Sequence, residues 1–160
     1  MRDTYFECKD FLWDKIQQID YKPISDGQTP TFNNVMRQNI FEGSEHVPFD
    51  IRYFECEKDG FSALEKHDHV HVVIVLRGKG VIIVGKEIHE VCPYDLIVIP
   101  AWAEHQLINT GEEPFGFLCT VNIQRDNPQM LSKEEVNELC KNSNIKNRIQ
   151  IPTGYYNVKR

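Results

Sequence analysis

"EKHDHVHVVIVLRGKG", residues 65–80, sets three histidines at alternate positions and then runs into aliphatic residues. Side chains on an extended chain alternate between faces, so Glu65, His67, His69 and His71 share a side with Val73 and Val75 if the strand runs straight. The valines mark that side as the one facing a core. Ionisable groups there are partly desolvated, which is unfavourable unless something compensates their charge and engages their lone pairs. A divalent transition metal does both, and imidazole nitrogen with carboxylate oxygen suits manganese, iron, nickel, cobalt or zinc. One such histidine alone is more often hydrogen-bonded or at the surface; the clustering carries the reading. His46, in the loop "GSEHVP", and His89, flanked by Glu87 and Glu90, have ordinary polar settings.

Outward from this stretch the chain reads as short strands. Residues 35–41, 49–56, 72–78, 81–85, 86–91, 95–100, 104–109 and 115–122 are rich in β-branched and aromatic residues and are separated by Gly, Pro, Asp or Asn signals. This spacing predicts an antiparallel sandwich or barrel. Helical patterns occur only near the ends. Phe11, Leu12, Ile16 and Ile19 fall on one side of a helix over 10–19 behind an Asp10 cap, and Ser132 with Glu135 forms a capping box for a helix over 132–140. The polar tail from Lys141 offers Ile149, Ile151, Tyr155 and Tyr156 as contacts to the barrel or a second subunit.

The chain has 160 residues, 41% of them hydrophobic, enough for one domain with one core. The expected organisation is an arm with a short helix over 1–34, a barrel over 35–123, and a helix and tail over 124–160. A formal charge of −6 without a basic cluster argues against nucleic-acid binding. No run approaches the ~20 apolar residues of a membrane helix, and "MRDTYFECKD" lacks the apolar core of a signal peptide, so a cytoplasmic location is expected. Five scattered cysteines without a CxxC pair fit reduced thiols.

A second stretch, "PYDLIVIPAWAEHQLINTGEEP" (93–114), gives a turn, a strand ended by Pro100, then His105 with Asn109 four residues on. Together the two stretches resemble the paired motifs of the cupin superfamily, in particular its small single-domain manganese-type bacterial members. Gly78 closes the first motif; His71 stands where the family usually has Glu, His67 at the second histidine, and Glu65 where the first is expected. In the second motif Pro100, His105 and Asn109 fit, while Tyr94 and Trp102 replace the two glycines. The resemblance covers residues 35–123. It implies an all-β, double-stranded β-helix barrel and one divalent metal, manganese or iron first, on Glu65, His67, His71 and His105. His69 is the reserve, as a proton donor behind the ligands or a pocket residue.

Such a metal polarises an oxygen of a chelating substrate or activates dioxygen or water. Trp102, three residues before His105, is a candidate lid, or else a turn-packing aromatic. Cys119 shares parity with Phe115, Phe117 and Val121, which puts it inside the barrel, as inert packing or as a thiol near the metal. Arg52, Arg77 and Gln106 are weaker pocket candidates. The leading expectation is a metal-dependent enzyme acting on a small organic molecule, with dioxygenase-like chemistry ahead of isomerase or lyase chemistry. A non-catalytic binding or sensing module is the second, and a barrel whose histidines serve no metal the third. A homodimer that covers an edge strand, at 35–41 or the N-terminal segment, follows from the barrel.

Overall fold

The computed structural model describes residues 4–24 and 26–157. Three short strands open it: β1 (Cys8–Lys9), β2 (Leu12–Trp13) and β3 (Gln18–Asp20). The long strands β4 (Asn33–Phe41) and β5 (Phe49–Phe61) follow, then β6 (Glu65–Lys66), β7 (His71–Arg77), β8 (Gly80–Val84) and β9 (Glu87–Val91). The series ends with β10 (Leu96–Ile99), β11 (His105–Asn109), β12 (Phe115–Asn122) and β13 (Gln129–Met130), before helices α1 (Lys133–Leu139) and α2 (Ser143–Lys146). All eight strands expected from the β-branched and aromatic runs form, within a few residues at their ends.

The strands make a curled antiparallel sheet. One wall runs β10–β7–β12–β5–β4–β3, and the other is β9–β8–β11 with β6 and β13 at the end of β11. The thirteen residues of β5 join the walls, pairing with β4 and β12 along most of their length and meeting Ile108 of β11 at Phe61. Apolar side chains pack on both faces of the second wall. Ile82 and Leu107 point into the barrel with Phe54, Val73, Val75, Phe115 and Phe117. Val81, Ile83 and Ile108 point outward, where Leu131, Val136, Leu139, Ile145 and Tyr155 cover them. Complete burial of such a side chain contributes roughly 1.5–3 kcal/mol.

Three turns aim the strands that matter. Gly78 has φ 70°, and a Cβ there would lie 2.2 Å from the Pro114 carbonyl oxygen. Tyr94 and Trp102, at the two glycine positions of the second motif, keep left-handed backbones with φ of 79° and 62°. The glycine conformation persists without the glycine. Asn109 bridges two elements: its amide donates to the carbonyls of Cys56, Glu57 and Glu113, and its oxygen accepts from Gly111.

Two expectations need correction. Residues 10–19 are not helical: Asp10, Phe11 and Lys15 have positive φ, and the segment forms β2 and the start of β3. An isolated helix of ten residues is marginal. Here tertiary contacts win, because Gln38 accepts from the Trp13 N–H and donates to the Phe11 carbonyl while both rings pack near Tyr53. Residues 35–41 are an edge only in part, since β3 covers Met36–Gln38 on the side of β4 away from β5. The capping box at Ser132 and Glu135 forms as expected. Tyr155 is buried and donates to the Leu64 carbonyl, and Ile149 packs under the second wall, whereas Ile151 and Tyr156 stay exposed.

Candidate functional site

The strand carrying the three histidines does not run straight. β6 stops at Lys66, β7 starts at His71, and a bend at Asp68 and His69 lies between. Asp126 makes the bend: its carboxylate accepts from the N–H of Asp68 (2.9 Å), the N–H of His69 (3.3 Å) and the ring of His69 (Nδ1, 2.7 Å). Glu65, His67, His69 and His71 nevertheless all line one cavity. The bend stacks the rings of His67 and His69 with centroids 3.6 Å apart. His71 lies 4.6 Å from His67 by the same measure. His105, paired with Glu65 in register, comes from the opposite wall, 4.7 Å from His67 and 5.4 Å from His71.

Each imidazole has its Nδ1 engaged. His67 donates from Nδ1 to the His69 carbonyl (2.8 Å), His105 to the Ala103 carbonyl (2.9 Å) and His69 to Asp126. The Nδ1 of His71 lies 2.8 Å from the Cys119 sulfur. A ring that donates from Nδ1 presents Nε2 as a lone pair, the tautomer a metal needs. The Nε2 atoms of His67 and His71 face each other at 2.8 Å. Burial, then the neighbouring His105 and His69, push the His67 pKa down to about 4. Burial also holds His71 well below its ordinary value and lowers His105, so these rings are neutral donors at neutral pH. Ligand atoms of His67, His69 and His71 lie within 4.8 Å of one another, as do those of Glu65, His67 and His105. This donor set fits a divalent transition metal.

The cavity has a volume of about 560 Å³. Cys119 and Arg52 line it, with an Arg52 Nη2 3.7 Å from the cysteine sulfur. Two other candidates lie elsewhere. Gln106 points to the outer face of β11, where its amide is bonded to Ser62 and Gln150, and Arg77 pairs with Glu55 and Asp10. Trp102 is half-exposed and outside the cavity wall, but its N–H donates to the His67 carbonyl (2.7 Å), so its turn supports the site. Four cavity residues had no motif to mark them: Lys22, which pairs with the buried Glu65, and Arg37, Arg125 and Asp126. Alternation alone could have placed Arg37, because Val35 on the same strand packs against the inner core.

Comparison with known proteins adds to this geometry. The pattern of the Cupin domain matches residues 52–121. The 1-methylthio-D-xylulose 5-phosphate methylsulfurylase of Rhodospirillum rubrum is 39% identical over 126 residues, covering 79% of this chain and 78% of that protein. Among solved structures, a cupin-2 domain protein from Rhodospirillum rubrum is similar with a TM-score of 0.79 and 35% identity, covering 86% of this chain and 90% of that one. A cupin 2 conserved barrel domain protein from Rhodopseudomonas palustris has a TM-score of 0.77 and 38% identity, covering 86% and 92%.

Proposed function

The chain belongs to the cupin family, and from that premise we propose that it is a metal-dependent enzyme that removes a methylthio group from a small phosphorylated keto sugar. The observation that carries this reading is Cys119, a buried thiol on the cavity wall 2.8 Å from His71. The name of the Rhodospirillum rubrum relative points to sulfur chemistry, and a thiol is the side chain able to accept a methylthio unit. In the proposed step the Cys119 sulfur attacks the thioether sulfur. The S–S bond forms, the C–S bond breaks, and its electron pair moves to the carbon beside the substrate carbonyl. The thiol proton ends on that carbon, leaving a methyl disulfide on Cys119 that a small thiol reduces to free the enzyme. Burial raises the Cys119 pKa and the facing Arg52 opposes that rise, so the thiol is held protonated yet beside a cation that favours the attacking thiolate.

Glu65, His67, His71 and His105 would hold the metal, manganese or iron first, with His69 alongside them; the metal supplies a Lewis acid for the substrate carbonyl. Asp126 positions His69, Lys22 orients Glu65, and the apolar wall of Phe54 and Phe117 limits water around the reacting sulfur. This ranks sulfur transfer ahead of the dioxygen chemistry expected from the sequence. Five unpaired cysteines agree with a reducing, cytoplasmic setting. We place the homodimer contact at β10, which pairs only with β7 among the described residues and exposes Leu96 and Val98.

The test is intact-protein mass spectrometry after incubation with a methylthio keto-sugar phosphate but no added thiol. One methylthio group should appear on Cys119, and Cys119→Ser should neither carry it nor turn over. A Cys119→Ser protein that works like the wild type would overturn the reading. Binding of the sugar without an adduct or product is what a sensing module would show. His105→Ala should lose most of its metal while keeping its fold, as judged by metal content and circular dichroism.

A further inference from the structure

Charge around the cavity is unevenly matched. Of the carboxylates lining it, Glu65 is paired with Lys22 and Asp126 with His69. Arg125 is bound to Asp50 at 2.7 Å. Arg37 and Arg52 line the same cavity, and among the described residues neither has a carboxylate partner. The Nε atoms of both are buried without a hydrogen-bond partner. Burial first, then the facing Arg52 and Arg125, lower the Arg37 pKa from its ordinary value. Guanidinium groups left unpaired beside one another are unfavourable in the free protein and become favourable when an anion joins them.

Strand order gives these arginines a direction. β7, β12, β5 and β4 are successive neighbours in the sheet. Cys119 opposes Arg52 in register, and Arg37 opposes Phe54, two residues along the strand from Arg52. His71, Cys119, Arg52 and Arg37 therefore form a row across the inner wall, one on each strand. Two strand spacings, about 10 Å, separate the Cys119 strand from the Arg37 strand. A small sugar phosphate laid along this row would run from the histidines and Cys119, past Arg52, toward Arg37.

We propose that Arg37 and Arg52, with Arg125 beside them, form the phosphate subsite of this cavity, so that a phosphate monoester is held at the β4–β5 end while its opposite end reaches Cys119 and the histidines. The subsite deepens the methylthio-sugar reading and rests on it for the identity of the substrate. Two guanidinium forks bind a phosphate dianion bidentately, which lysines cannot do. Arg37 is a binding residue at the end remote from the reacting sulfur.

The experiment titrates metal-loaded protein with inorganic phosphate by isothermal calorimetry, comparing wild type with Arg37→Met and Arg37→Lys. Wild type should bind phosphate saturably, and Arg37→Met should bind at least about tenfold more weakly, with metal content unchanged. Arg37→Lys should fall between, and it serves as the decisive variant if Arg37→Met does not fold. Equal affinity in wild type and the folded variants, or no phosphate binding by wild type, overturns the subsite. Failure of the two readings is distinguishable. Phosphate binding that depends on Arg37 without a Cys119 adduct leaves the subsite standing and removes the sulfur chemistry. An adduct that forms equally well from phosphorylated and unphosphorylated sugars does the reverse.

Discussion

The two faces of β11 bury polar side chains to similar depth and treat them in opposite ways. On the outer face Gln106 is fully enclosed and fully satisfied: its amide donates to Ser62 and Gln150 carbonyls and accepts from the Gln150 N–H. On the inner face His105 is nearly as buried, with Nδ1 tied to Ala103, but its Nε2 has no hydrogen-bond partner among the described residues. A polar group buried for packing has its bonds completed by nearby backbone. One that keeps an unshared lone pair beside other such lone pairs is arranged for a ligand. Burial alone does not separate the two cases; bond completion does.

Substitutions can break or sharpen this contrast. The largest effect belongs to the outer face: Ile145→Ala opens a void under the C-terminal cover and should lower unfolding free energy by about 2–5 kcal/mol in urea titrations. Metal content per folded chain should not change, and a parallel loss would show that the two faces are not independent. Asp126→Asn comes next. It keeps the size of the side chain and removes the charge holding the His69 ring and bend, so metal affinity should fall roughly 10–100-fold in competition with a chelator. Unchanged affinity would mean that the bend does not govern the ligands. The smallest effect is Ser132→Ala, which removes the helix cap and should cost about 1 kcal/mol in thermal unfolding, leaving metal affinity as it was.

Much of the barrel was legible because alternation is local: Val73 and Val75, or Phe115, Phe117 and Cys119, declare a face within a few residues. The histidine cluster was legible for the same reason. The bend that shapes it was not, since the carboxylate responsible lies 57 residues from His69 along the chain. Residues 10–19 misled for a related reason. Their helical spacing is a local property, while the Gln38 amide that holds them in another form arrives from a distant strand. The arginines of the cavity carry no motif; they become visible once strand order sets Arg37 beside Arg52.

Strand β5 passes from one wall to the other without a break, pairing with β4, β12 and finally β11. The consequence is cooperative. Separating the walls requires breaking the β5–β11 junction at Phe61 and Ile108, together with the Ser62–Leu107 and Asn109–Cys56 bonds beside it, which couples the two walls. Slowly exchanging amides of β12 and β11 should then share one opening free energy, equal to that of global unfolding, whereas β1 and β2, a two-stranded unit outside that ladder, should exchange through smaller fluctuations. A barrel tied in this way keeps His71 on one wall and His105 on the other, the two sides of the proposed ligand set, in one folded unit.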